Sequence, residues 1–99
     1  MEFSRACERV GGQLLNPNTC RIGRNVVVKE DEFNYRIITP LLSFSVRAPG
    51  VKVSGSTLRF LFNNCGVEVG RENVEVACFA PGKDNDLNVY FEEVFRAVI

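Results

Sequence analysis

Histidine is missing from the chain altogether, tryptophan with it, and methionine occurs once. Without histidine there is no Ser-His or Cys-His pair to activate a nucleophile, and the commonest general base at neutral pH is gone. Net charge is missing as well. Twelve Lys and Arg balance twelve Asp and Glu, which removes any global pull toward nucleic acid or an anionic membrane. Residues 1–50 carry seven bases and five acids (+2), and residues 51–99 carry five and seven (−2), an asymmetry too small to imply a partner. No apolar run approaches the roughly 20 residues of a membrane-spanning helix. The N-terminal MEFSRACERVGG is charged and amphipathic and lacks the apolar core of a secretory signal, so an intracellular location is expected. Apart from the pair at 11–12 the glycines are single, and none forms a phosphate-binding loop.

What is present is an ordinary globular composition, 45% apolar and 24% charged, with eight phenylalanines to fill a core. Ninety-nine residues make one domain, 1–99. Phe3, Ala6, Cys7 and Val10 fall on one face of a helix over 2–10, stopped by Gly11-Gly12. NPNT at 16–19 is turn chemistry between short strands at about 13–15 and 19–22. NVVVKE and FNYRIIT then read as strands around an acidic turn, with Phe33, Tyr35 and Ile37 on one side and Asn34 and Arg36 on the other. In LLSFSVRA, Leu42, Phe44, Val46 and Ala48 alternate with Ser43, Ser45 and Arg47. A helix beginning at Thr39-Pro40 competes there, and the period of two decides for a strand. VKVSG is a further short strand.

Leu58, Leu61, Phe62 and Cys65 repeat the helical spacing behind a Ser56 or Thr57 cap, which predicts a second helix ended by Gly66. VEV and NVEVACFA form another hairpin. Leu87, Tyr90, Phe91, Val94, Phe95 and Val98 give a wide apolar stripe, predicting a third helix over 86–98 with Glu92 and Arg96 paired on its wet side. The expected fold is therefore α+β: three amphipathic helices on one face of an antiparallel sheet of five to seven short strands. The units 3–22 and 58–80 echo one another as helix, glycine stop and hairpin, and read as convergence on a common αββ unit rather than duplication.

All four cysteines fall in two equal spacings, Cys7 to Cys20 and Cys65 to Cys78. Structural zinc sites use ligands two to four residues apart, and no such pair exists here; no metal or other cofactor is expected. Four reduced, buried cysteines would suit the apolar helix faces holding Cys7 and Cys65. Two local disulfides, Cys7–Cys20 and Cys65–Cys78, suit the even count and equal loops better, although four cysteines allow three pairings. Disulfides without a secretory signal point to the interior of a hyperthermophilic archaeon or of a cell infected by its virus. Nine Arg against three Lys agree with a thermostable protein, whereas nine Asn do not.

Chemistry is sparse. Glu92 and Glu93 diverge on a helix, and Asp31-Glu32 reads as a solvated turn. The surface that stands out is the polar side of the central strands: Arg36, Ser43, Ser45, Arg47, Lys52 and Ser54. On one meander these would form a basic, hydroxyl-rich face able to hold phosphates through Arg36, Arg47 and Lys52, though the aromatics that could stack on bases project to the other side. The usual wet side of an antiparallel sheet looks the same. The expected role is a non-enzymatic structural or protein-interaction domain, with no catalytic residues and no membrane. A homodimer would cover its sheet edges and bare face. A nucleic-acid-binding module comes second, and a small enzyme with carboxylate or thiol chemistry third.

Overall fold

The computed structural model describes residues 2–62, 65–78 and 97–98. The N-terminal helix forms as its spacing predicts: α1 (Phe3–Arg9) buries Phe3, Ala6 and Cys7, with Val10 buried at its C-cap. Gly11, at φ 76°, and Gly12 close it with a pair of capping bonds. Gly12 N–H donates to the Cys7 carbonyl at 2.9 Å and Gly11 N–H to that of Glu8 at 3.1 Å, which satisfies two orphan carbonyls. A side chain on Gly12 would also strike the sulfurs of Cys7 and Cys20.

Five strands follow as a meander, β1 (Gln13–Asn16), β2 (Thr19–Ile22), β3 (Asn25–Lys29), β4 (Asn34–Ile38) and β5 (Ser43–Arg47). A second antiparallel meander comprises β6 (Lys52–Ser54), β7 (Thr57–Phe62), β8 (Cys65–Val69) and β9 (Val74–Cys78), and the two-residue β10 (Ala97–Val98) pairs with the β9 edge. The protein is thus mostly β, with one short helix among the described residues. The expected α+β architecture of three helices on a single sheet is overturned.

The correction has a local cause. Over residues 57–62 the helical spacing of Leu58, Leu61 and Phe62 competes with a period of two that puts Leu58 and Phe60 on one side and Arg59 on the other. The second pattern wins because it has partners. Arg59 stands opposite Glu68 on β8, where both Nε and Nη2 reach the same carboxylate oxygen, at 3.0 and 2.6 Å. Leu58 and Phe60 are wholly buried on the opposite side. Thr57, expected as a helix cap, instead donates its hydroxyl to the Ser54 carbonyl at 2.7 Å and closes the β6–β7 turn. The supposed αββ echo between 3–22 and 58–80 therefore disappears. The third helix, over 86–98, lies outside the described residues except at its end, where Ala97 and Val98 are strand.

One core joins the two sheets and the helix. Tyr35 on β4 sits between Phe3 of α1, at a ring-centroid distance of 6.1 Å, and Phe60 of β7, at 4.7 Å. Ile22, Val27, Ile37, Val46, Val51, Leu58, Val67, Val69 and Val74 are buried with them. Two residues assigned to the inward set leave it: Phe33 and Leu42 are exposed. The sheets are also locked turn to turn. Asn25, 2% exposed, donates its amide to the carbonyls of Gly70 at 2.8 Å and Asn73 at 3.4 Å, and Arg24 N–H donates to the Arg71 carbonyl at 3.0 Å. The approach is close enough that only glycine fits at 23. Its φ is +57°, and a Cβ there would fall 2.7 Å from the Arg71 Cα.

Both cysteine pairs are bonded, Cys7–Cys20 between α1 and β2, and Cys65–Cys78 between directly opposed residues of β8 and β9. A peptide map of the non-reduced protein is expected to recover these two pairs. Replacing either pair with alanines should cost about 3 kcal/mol for a loop of this length. Asn25→Ala removes the buried amide bonds and should cost about 1–3 kcal/mol in urea unfolding. Gly23→Ala should cost at least the roughly 1–2 kcal/mol of a left-handed residue with a side chain. Wild-type unfolding curves for both single variants would show that the turns do not hold the sheets together.

Candidate functional site

The cross-strand register defines the outer face of the first sheet row by row. One row runs Gln13, Arg21, Val26, Ile38, Ser43, and the next runs Thr19, Val28, Arg36, Ser45. Asn34 and Arg47 stand opposite each other beyond them. The centre of this face is apolar: Val26 and Val28 are half-buried and Ile38 is exposed. Its periphery is basic, with Arg21, Arg36 and Arg47 all exposed.

The β4–β5 turn extends the apolar centre. Thr39 pins the turn, because its hydroxyl oxygen accepts the N–H groups of Leu41 at 3.2 Å and Leu42 at 3.0 Å, while Thr39 N–H donates to the Leu42 carbonyl at 2.8 Å. Leu41 and Leu42 are thereby presented beside Ile38, at 83% and 44% exposure. A fixed turn that holds two leucines in water is costly for a chain with a core to fill.

The expected phosphate-binding set is only partly assembled. Arg36 and Arg47 share this face on neighbouring strands, but Arg36 is paired with Glu30 at 3.1 Å. Arg47 acts electrostatically on Asp31. Lys52 belongs to the second sheet, opposite Arg59 on β7, and lines a separate pocket of about 270 Å³ with Pro49, Gly50, Val51 and Leu61. The basic face therefore has carboxylates, Glu30 and Asp31, at one end, and its hydroxyls, Ser43 and Ser45, are exposed beside Ile38 and Arg36.

Sequence alternation missed the apolar centre. The signal was there, because three successive valines in NVVVK and the Ile37-Ile38 pair place apolar residues on both sides of their strands. No cysteine is free, so thiol chemistry would first require reduction of a bridge. Among the described residues no helix is long and apolar enough to cross a membrane, and no group of three or more cysteine, aspartate or glutamate side chains is placed to hold a metal ion. Comparison with protein families, curated proteins and solved structures finds no match.

Asp31 builds the β3–β4 turn. One carboxylate oxygen accepts the N–H groups of Phe33 and Asn34, each at 2.9 Å, and the Asn34 amide at 2.8 Å. The Phe33 bond first, then the Asn34 bonds and the Arg47 charge, hold its carboxyl below the ordinary 3.8. A lowered pKa means that ionised Asp31 supports the fold above its unfolded value and that the support vanishes as pH falls through the lower folded value. Asp31→Ala should therefore be less stable than wild type at neutral pH, and the gap should close toward roughly pH 2. Paired denaturant titrations at the two pH values check this; an equal gap at both would show that the turn does not depend on the carboxylate.

Proposed function

We propose that the chain is a non-enzymatic protein-interaction module that uses the outer face of its first sheet to bind an amphipathic, acidic partner segment. The observation that carries this reading is the exposure of Ile38, Leu41 and Leu42 next to half-buried Val26 and Val28, bordered by Arg21, Arg36 and Arg47. An apolar stripe with a cationic border is complementary to a helix whose leucine face is flanked by glutamates. Arg21 and Arg47, which form no salt bridge with a described residue, favour such a partner over a second copy, which would bring like charges to the same face. The two bridges support a habitat in which disulfides persist, either an oxidising compartment or the interior of a hyperthermophile or its virus.

The test is a titration of the isotope-labelled protein with a synthetic amphipathic helix bearing leucines flanked by glutamates, and with its lysine-substituted twin. The acidic peptide should perturb amides of β3, β4 and β5, Ile38→Asp with Leu41→Asp should abolish the effect, and the basic twin should be silent. Equal responses to both peptides, or none to either, would refute the reading. Nucleic acid is the second reading, since Arg36 and Arg47 could take phosphates and Lys52 could do so from the other sheet. Retention of duplex or single-stranded DNA at low salt, lost in the triple alanine variant with a duplex slope reduced by about 0.9 per contact, would favour it instead.

A further inference from the structure

Three segments converge at the turn-locked end of the molecule: the cap of α1, the β2–β3 turn and the β8–β9 turn. Gly11, Gln13, Arg21, Gly23 and Arg71 line an open pocket of about 320 Å³ between them. Its two cations are set by backbone rather than by carboxylates. Arg71 is anchored through its own carbonyl, which accepts Arg24 N–H at 3.0 Å, and through its packing on Gly23. Its guanidinium Nη2 donates to the Gly11 carbonyl at 3.3 Å. From the other wall, Arg21 Nε donates to the Gly23 carbonyl at 3.4 Å. These bonds orient both guanidiniums yet leave most of the five N–H donors on each for a ligand. Arg36 and Arg59 are neutralised by Glu30 and Glu68, whereas neither Arg21 nor Arg71 forms an ion pair with a described residue.

We propose that this pocket is an oxyanion site that takes the dianionic phosphate group of inorganic phosphate or of a small phosphate monoester, held between Arg21 and Arg71. Two like charges held toward one space by fixed turns are unfavourable when the space is empty, and a dianion converts that repulsion into two charge-assisted contacts. Guanidinium forks match phosphate oxygens in geometry as well as in charge. The Gln13 side chain adds an amide donor at the rim, and the absence of side chains at Gly11 and Gly23 leaves room for the ligand. The volume lies at the lower end of the small-ligand range, which suits a phosphate group with a small substituent. The pocket shares Arg21 with the border of the partner face, but Arg71 lies on the other sheet's turn and the test leaves Ile38 and Leu41 untouched, so the two readings fail separately.

The experiment follows the arginine Nε–H signals of the full-length, oxidised protein by NMR. Inorganic phosphate, phenyl phosphate and dimethyl phosphate are titrated in turn, with sodium chloride holding ionic strength constant. Saturable shifts at Arg21 and Arg71 are expected with the first two ligands, and much weaker ones with the monoanionic diester. Phenyl phosphate binding more tightly than inorganic phosphate would identify a monoester as the ligand, and the reverse order would identify free phosphate. Arg21→Ala and Arg71→Ala should each weaken binding at least about tenfold, while Arg5→Ala, on the exposed side of α1, should leave it unchanged. Should Arg71→Ala disturb the turn, Arg21→Ala and the site-resolved shifts still decide. Shifts that do not saturate, equal shifts with the diester, or equal losses in Arg5→Ala would overturn the proposal.

Discussion

The contact on which the rest depends is made by two hairpin turns, one from each sheet. Asn25, at the first position of β3, spends its amide on the carbonyls of Gly70 and Asn73, and Arg24 donates its N–H to Arg71. Neither sheet is large, and a small chain buries a modest share of its surface. The apolar core alone is non-directional and does not fix how one sheet is placed on the other. A buried amide with carbonyl acceptors is directional, and it is costly to leave unsatisfied. Gly23 is the condition for this contact, because any side chain there would meet the Arg71 backbone.

The disulfides act at other places in the same scheme. Cys7–Cys20 ties a seven-residue helix, too short to be stable alone, to β2. Cys65–Cys78 clamps β8 to β9 at the end of that hairpin opposite its Gly70–Asn73 turn. With these ends fixed, the chain can leave apolar residues outside its core. Ile38, Leu41 and Leu42 are among those presented on the first sheet and its turns, and the pinning of the β4–β5 turn by Thr39 makes that exposure a fixed feature of the surface.

Much of this was legible in the amino-acid sequence, and the failures share one cause. The helix at 3–9 and the strands on either side of Asp31 follow from local spacing, and the equal loops favoured, among three possible pairings, the two bridges that form. Residues 57–62 satisfied two periods at once, and the tie was broken by Glu68, a cross-strand partner nine residues away that no local window weighs. Asn25 looked like an ordinary strand start, because its acceptors lie more than forty residues further on. The expected basic face failed as a unit for the same reason: alternation sets the side of a strand to which Lys52 points, but not the sheet to which the strand belongs. Arg71, in the turn of the second hairpin, gave no sign that it would line a pocket with Arg21.

The central claim is that the two sheets are locked as one unit through their turns. It is tested most directly by native-state hydrogen exchange at the amide of Arg24, an exposed residue in a two-residue turn whose N–H is bonded only across the sheets. If the lock holds, that amide exchanges only when the core opens, with the same protection as Val27 in β3. Exchange at the rate of an unprotected loop, while Val27 stays protected, would show that the turns part freely and would contradict the account.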